Sequence, residues 1–183
     1  MANELHQMQM SYHAEEDRLL LKASTRERAE FRIWLTRAYT LLLWEKLNEF
    51  LKLDPDVSAL STEEEKSAVL AYKKHEALKN VDFTTVYSEQ IDNYPLGTEG
   101  VLAYSLSAAI SADGAHIEIK PRDGLGLNFT MDRGMNNAFC KMLYEAVNRA
   151  DWDLGFEYED SSTGSGVEAA VAESESIDRM KMN

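Results

Sequence analysis

The chain contains the same short unit twice, and this duplication limits what it can fold into. Residues 30–51 and 126–147 follow one pattern: an alternating strand, an N-cap residue, an arginine and an amphipathic helix. In this alignment Arg37 corresponds to Arg133. The apolar positions also correspond: Phe31, Ile33, Leu35, Tyr39, Leu43 and Leu47 with Leu127, Phe129, Met131, Met135, Phe139 and Leu143. We therefore expect a pseudo-symmetric single domain.

The first unit is predicted to be β-β-β-α. Residues 5–12, 18–24 and 30–35 read as strands, and the last of these places Phe31, Ile33 and Leu35 on one face. Thr36 is predicted to cap a helix from about Arg37 to Leu53. Its apolar stripe consists of Tyr39, Leu42, Leu43, Leu47, Phe50 and Leu51.

The second unit repeats this order. Residues 101–111, 115–120 and 125–131 read as strands, and Asp132 caps a helix to about Ala150. The residues predicted to face inward from the first and last of these strands are Leu102, Tyr104, Leu106, Ala108, Ile110, Leu125, Leu127, Phe129 and Met131. The fold class is α+β, with antiparallel sheets that are each covered by a helix. The two sheets either join into one curved sheet or pack helix against helix.

Composition sets the domain boundaries. Hydrophobic residues make up 44% of the 183 residues, which is enough for a core. We predict one domain over residues 1–156, with units at about 4–53 and 101–150 and a surface helical insert at 61–80. Residues 157–183 are rich in Ser, Gly and acidic residues and are predicted to be a disordered tail.

The net charge of −13 is distributed unevenly, since residues 151–183 carry 9 Asp and Glu against 2 Lys and Arg. An acidic chain disfavours non-specific nucleic-acid binding, although the concentration of acid in the tail weakens that argument. No apolar run is long enough for a membrane span, and no signal peptide is recognised, so a cytoplasmic location is expected. The single cysteine, Cys140, is expected to be buried in a helix.

One strand face could bind a ligand. Residues 18–37 contain six basic residues against two acidic ones. The side of the first sheet opposite the core is predicted to carry Arg18, Lys22, Arg32 and Trp34, and Arg37 follows at the helix start. A basic sheet face with a central aromatic ring is typical of a platform for single-stranded nucleic acid, on which bases stack and cations follow the phosphates. Alternatively, Trp34 is covered by the other unit or by a second copy, and the basic residues are merely solvated.

Other chemistry is not indicated. The four histidines have no metal-ligand spacing, and no nucleotide-binding or catalytic motif occurs, so no catalytic residue, metal or cofactor is expected. The acidic tail could solubilise the chain, compete with a nucleic-acid strand for the basic face, or recruit a basic protein.

Two resemblances accompany these patterns. Residues 16–44, EDRLLLKASTRERAEFRIWLTRAYTLLLW, resemble an uncharacterised bacterial protein family to which no activity is attached. The tandem β-β-β-α outline is similar in topology to PUR and Whirly proteins, which bind single-stranded nucleic acid. This second resemblance implies a nucleic-acid function without assigning a residue to it.

Three functions remain open. The leading hypothesis is a non-enzymatic binding or regulatory protein that contacts an unidentified protein partner and could form a homo-oligomer. The alternative is a single-stranded nucleic-acid-binding protein that uses the basic face around Trp34 and is gated by the tail. A small-molecule sensor between the two units is a third.

Overall fold

The computed structural model describes residues 4–79, 87, 90–156 and 158. Its first unit consists of β1 (Leu5–His13), β2 (Arg18–Thr25), β3 (Glu30–Leu35) and α1 (Arg37–Lys52). Thr36 caps α1 as predicted, because its side-chain oxygen accepts a hydrogen bond from the backbone N–H of Tyr39 at 3.2 Å. Sequence reasoning missed a short helix, α2 (Pro55–Ser58), which Asp54 caps.

The predicted insert is the helix α3 (Glu63–Lys79). It begins with a reciprocal cap, in which the backbone N–H of Glu65 donates to Thr62 Oγ1 and the backbone N–H of Thr62 donates to the Glu65 carboxylate. No residue of α3 is buried, in agreement with the expected surface position. Lys73 fixes the helix to the domain through ion pairs with Asp54 and Asp56.

The second unit contains β4 (Val101–Leu102), β5 (Ser105–Ile110), β6 (Ala115–Lys120), β7 (Leu127–Met131) and α4 (Arg133–Arg149). The predicted single strand over 101–111 is therefore wrong, because the chain changes partners at Ala103 and Tyr104. The backbone N–H of Ala103 donates to Trp34 in β3, whereas that of Tyr104 donates to Lys120 in β6. As a result Leu102 and Tyr104 are exposed and do not share the partly buried face of Leu106.

The same change of partners connects the sheets. The first sheet has the order β1-β2-β3-β4, with β4 parallel to β3 and the other pairs antiparallel; the second has the order β5-β6-β7. Residues 101–105 form the last strand of one sheet and enter the first strand of the other. The structure is thus α+β, with adjoining sheets of four and three strands.

Each helix packs mainly against the other unit. α1 contacts β5 of the second unit, α4 contacts β1 of the first, and the two helices also contact each other. Their buried side chains belong to one hydrophobic cluster that includes Leu21, Ile33, Leu43, Phe129 and Phe139. Each unit completes the core of the other, which explains why the duplication forms one core.

Two residues that were predicted to face the core, Leu125 and Leu42, are exposed at its margin, whereas the predicted burial of Cys140 is confirmed. Leu125 lies before β7 and is 77% exposed, because the chain leaves the β6–β7 turn there. Leu42 of α1 is also exposed. Cys140 is fully buried as expected, and burial raises the pKa of its thiol to about 12.

Candidate functional site

The candidate site is the side of the first sheet that faces away from the helices. We call it the outer face, and strand register places on it Gln9 and Ser11 of β1, Leu20 and Lys22 of β2, Arg32 and Trp34 of β3, and Leu102 of β4. Lys22 lies opposite Arg32, and Leu20 lies opposite Trp34. The predicted grouping of Lys22, Arg32 and Trp34 on one face therefore agrees with the strand register.

The other two predicted site residues lie at one end of this face. Arg18 is opposite His13 and is 3.4 Å from the Glu16 carboxylate. Arg37 is the first residue of α1, and its guanidinium donates two hydrogen bonds to Asp17, each at 3.1 Å. The guanidinium of Arg37 is therefore engaged by Asp17, in the turn between β1 and β2.

Arg32 is also engaged within the molecule. Its Nε donates to Glu30 Oε1 at 2.6 Å and its Nη1 to the backbone oxygen of Thr98 at 2.6 Å. The guanidinium carbon lies 4.8 Å from the centre of the Tyr94 ring. The hydrogen bond that Arg32 donates to Glu30 stabilises the charged guanidinium and raises the pKa of Arg32. These contacts leave little of the guanidinium for an external phosphate.

The segment 90–100 covers the Arg32 side of the outer face. Trp34 Nε1 donates to the backbone oxygen of Glu99 at 2.9 Å, and the Trp34 and His13 rings pack edge to face with their centres 4.9 Å apart. Gly100 makes this close passage possible: its φ is +79°, and a Cβ there would lie 2.9 Å from Arg32 Cβ. Trp34 is consequently half-buried by its own chain.

An exposed apolar strip continues from Trp34 where the two sheets meet. We define the apolar strip as Trp34, Leu102 and Tyr104. Leu102 is the strand neighbour of Trp34 and is 42% exposed, and Tyr104 is 62% exposed. The guanidinium of Arg122 lies 5.0 Å from the centre of the Tyr104 ring. The strip therefore presents Leu102 and Tyr104 to solvent beside the half-buried Trp34, and Arg122 adjoins it at Tyr104.

Sequence reasoning missed Leu102 and Tyr104 as surface residues because alternation assigned them to the core. Ala103 between them is instead buried at 6% exposure while its neighbours face outward, which reverses the expected parity. Only the change of strand partner at this position reveals the reversal.

No protein-family model, no curated protein and no solved structure matches the chain. The assignment of function therefore depends on the residues described above. Over the residues that the structure describes, no three His, Cys, Asp or Glu side chains are grouped so as to hold a metal ion. Within the same residues, no helix has the length and apolarity needed to cross a bilayer.

Proposed function

We propose that the protein binds another protein through the apolar strip. The observation that carries the proposal is the exposure of Leu102 and Tyr104 beside the half-buried Trp34. Tyr, Trp and Arg are the residues most enriched among those that dominate binding energy, especially around a pocket that excludes water. Here Tyr104 and Arg122 stack on one another, so their side chains are already ordered before a partner arrives.

The charges around the strip indicate what the partner should offer. Lys22 lies on the outer face next to Arg32, and no described acidic side chain pairs with it. Arg122 lies beside Tyr104 in the strip. A partner segment with an apolar side chain for the strip and carboxylates for Lys22 and Arg122 would match this arrangement.

Site-specific photo-crosslinking tests the proposal. A photo-crosslinking amino acid replaces Tyr104 in one variant and Tyr72 of α3 in a matched variant. Tyr72 is suited to the control because it is 66% exposed but lies on the insert, away from the strip. In cells of the source organism we expect a discrete crosslinked protein from position 104 that is absent from position 72.

A substitution then measures the energetic importance of the strip. We expect Tyr104→Ser to weaken binding of the crosslinked protein at least about thirtyfold, since loss of a dominant interface residue costs about 2 kcal/mol or more. Tyr72→Ser should leave the affinity unchanged. Identical crosslinks from both positions, or equal affinity for both serine variants, would reject the strip as the interface.

Single-stranded nucleic acid remains a second candidate ligand, because Lys22, Arg32 and Trp34 share the outer face. This candidate requires the segment 90–100 to move, since Arg32 and Trp34 now donate to Thr98 and Glu99. If bases stack on Trp34, Trp34→Ala should weaken binding by about 1–3 kcal/mol per base. Deletion of residues 157–183 should tighten binding if the acidic tail competes with the strand.

Titration with an unlabelled oligonucleotide separates this candidate from protein binding. Quenching of tryptophan fluorescence that weakens with salt, and strengthens without residues 157–183, would support the nucleic-acid interface. Absence of quenching at low salt with either protein would eliminate it and leave the crosslinking result to decide.

A further inference from the structure

The acidic tail begins at a fixed point beside α3. Tyr158 is the last residue that the structure describes. Its ring stacks on Tyr144 of α4 with ring centres 5.0 Å apart, and the ammonium group of Lys74 in α3 lies 5.0 Å from the centre of the Tyr158 ring. The chain beyond Tyr158 therefore continues from a position next to α3.

A groove lined by lysines lies at the same place. It is formed by the end of α1, by α2 and by α3, and it has a volume of about 670 Å³. Lys52, Lys66 and Lys74 line it, and Glu63 is the one acidic residue among its described lining residues. Lys66 is paired with Glu63 at 2.8 Å, whereas no described carboxylate forms a salt bridge with Lys52 or Lys74. The groove thus offers two cations to an acidic segment.

The tail has the charge that this groove requires. Residues 159–175 contain five Glu and Asp and no Lys or Arg. Glu159 and Asp160 directly follow Tyr158, whose ring is already in contact with Lys74. A single exposed ion pair is weak. Because the tail is attached to the domain, however, its effective concentration at the groove is on the order of millimolar, so even a weak contact is occupied.

We propose that residues 159–175 bind in the groove between α1, α2 and α3, with their carboxylates paired to Lys52 and Lys74. This contact would hold α3 against the domain, which is useful because none of the residues of α3 is buried. It would also keep the groove closed to an acidic segment of another protein for as long as the tail occupies it.

The groove suits these carboxylates better than the outer face does. On the outer face Arg32 already donates to Glu30, and at its end Arg37 donates to Asp17. The outer face also points away from the helices, whereas Tyr158 lies against α4 and α3. Binding in the groove is therefore distinct from the competition for the outer face that the nucleic-acid candidate requires.

A paramagnetic label in the tail tests the proposal. Cys140 is buried and burial raises the pKa of its thiol to about 12, so a nitroxide reagent labels only the position changed by Ser162→Cys. Nuclear magnetic resonance compares the backbone amide signals of the full chain before and after the nitroxide is reduced. Lys52→Glu combined with Lys74→Gln removes the positive charge of the groove. Lys79→Glu, on α3 but outside the groove, is the matched control.

We expect the nitroxide to broaden the amide signals of residues 66–74 and to leave those of β2 and β3 sharp. The groove variant and high salt should each restore the signals, and Lys79→Glu should not. Glu159→Lys combined with Asp160→Lys changes the tail alone, leaves the groove residues intact and should also restore them. Circular dichroism confirms that each variant keeps the fold of the parent.

Three results would overturn the proposal. Broadening at Lys22 and Arg32 in place of α3 would show that the tail covers the outer face. Absence of localised broadening, or broadening of α3 that both charge variants leave unchanged, would show that the lysines of the groove do not bind the tail. Broadening of an isotope-labelled chain by the nitroxide of a separate, unlabelled chain would show that the tail binds a second copy.

Discussion

Arg37 and Arg133 occupy equivalent positions in the two units, and each fastens one unit to the other. Arg37 begins α1 and donates two hydrogen bonds to Asp17, in the turn between β1 and β2 of its own unit. Its guanidinium also lies 5.1 Å from the ring centre of Trp152, which follows α4 of the other unit. Trp152 Nε1 donates to the same Asp17 at 2.9 Å. Three chain segments therefore meet at one carboxylate.

Arg133 performs the equivalent connection with different partners. It begins α4 and donates to the backbone oxygen of Ala112 at 2.7 Å, in the turn between β5 and β6 of its own unit. It also donates to the backbone oxygens of Phe50 and Leu53, at the end of α1 of the other unit, each at 3.2 Å. Its Nε lies 3.5 Å from the buried carboxylate of Asp54.

Comparing the two arginines shows that pseudo-symmetry determines where a side chain lies but not which groups it binds. Arg37 meets a carboxylate that water can also reach, since both side chains are about half exposed. Arg133 is 25% exposed and satisfies the last carbonyl groups of α1, which have no partner within their own helix. The two connections should therefore contribute unequally to stability.

Arg133→Ala should cause the larger loss. It removes three hydrogen bonds to backbone oxygens and leaves Asp54 with Lys73 as its cationic partner. Breaking one side of a mostly buried ionic network is expensive, so we expect the free energy of unfolding to fall by about 3–4 kcal/mol. Urea denaturation followed by tryptophan fluorescence measures this change. A loss no larger than that of Arg37→Ala would contradict the proposed inequality.

Gly126 occupies the position that corresponds to Glu30 in the first unit, and its lack of a side chain lets the backbone pass close to β6. A Cβ at Gly126 would lie 2.2 Å from the backbone oxygen of Ile119, so the strand would have to shift. Overpacking of this kind in Gly126→Ala should cost about 2–3 kcal/mol in urea unfolding. Gly124→Ala is the control for local space, since nothing lies within 4 Å of a Cβ there, although its φ of +94° adds backbone strain. Equal losses from the two substitutions would attribute the effect to backbone conformation and not to the close approach.

The fold was predictable where local periodicity and long-range packing agree. Alternation predicted β3 and β6, and the caps Thr36 and Asp132 located both helix starts, because an N-cap is a local hydrogen bond between nearby residues. The equivalence of Arg37 and Arg133 was likewise visible in sequence. Their partners in the opposite unit were not, since Trp152 and Leu53 reach them only because each helix packs against the other unit.

The candidate site was less predictable because it depends on covering segments. Alternation correctly placed Lys22, Arg32 and Trp34 on one face, but it could not show that Glu99 would accept the indole N–H. The exposure of Tyr104 depends on a change of strand partner, which has no local signature. The acidic tail lies outside the described residues apart from Tyr158, so its predicted disorder and role remain predictions.

Acid titration sharpens the comparison between the two arginine connections. Burial by itself would raise the pKa of Asp54, but hydrogen bonds from Lys73 and the backbone N–H of Asp56, together with Arg133, lower it overall. A carboxyl with a lowered pKa stabilises the fold above its unfolded pKa of about 3.9, and this stabilisation is lost as the pH falls through the folded value. We therefore expect stability to decline below about pH 4, and the decline to be shallower in Asp54→Asn.

Asp17 gives the corresponding measurement in the first unit. Hydrogen bonds from Arg37 and Trp152 lower its pKa, so its stabilisation is lost over the same acid range. Because Asp17 is about half exposed and Asp54 is buried, Asp17→Asn should flatten the acid decline less than Asp54→Asn does. Urea midpoints measured from about pH 6 to about pH 2 test both variants. Equal flattening would mean that burial does not separate the two connections.

Arg37→Ala should reduce stability the least of these substitutions. The salt dependence of that loss distinguishes a contribution from packing from one due to charge. Exposed ion pairs contribute little because water and salt screen them, so the urea midpoint should move much less than for Arg133→Ala. Trp152 is 4% exposed and contacts Tyr12 edge-on, so hydrophobic packing holds the segment after α4 even without Arg37. Trp152→Ala should therefore destabilise more than Arg37→Ala, at a magnitude insensitive to salt, whereas the small effect of Arg37→Ala should disappear at high salt. If high salt abolished neither effect, Arg37 would stabilise the fold chiefly by packing on the Trp152 ring. Packing, and not an ion pair, would then be the main contribution of this arginine to the contact between the units.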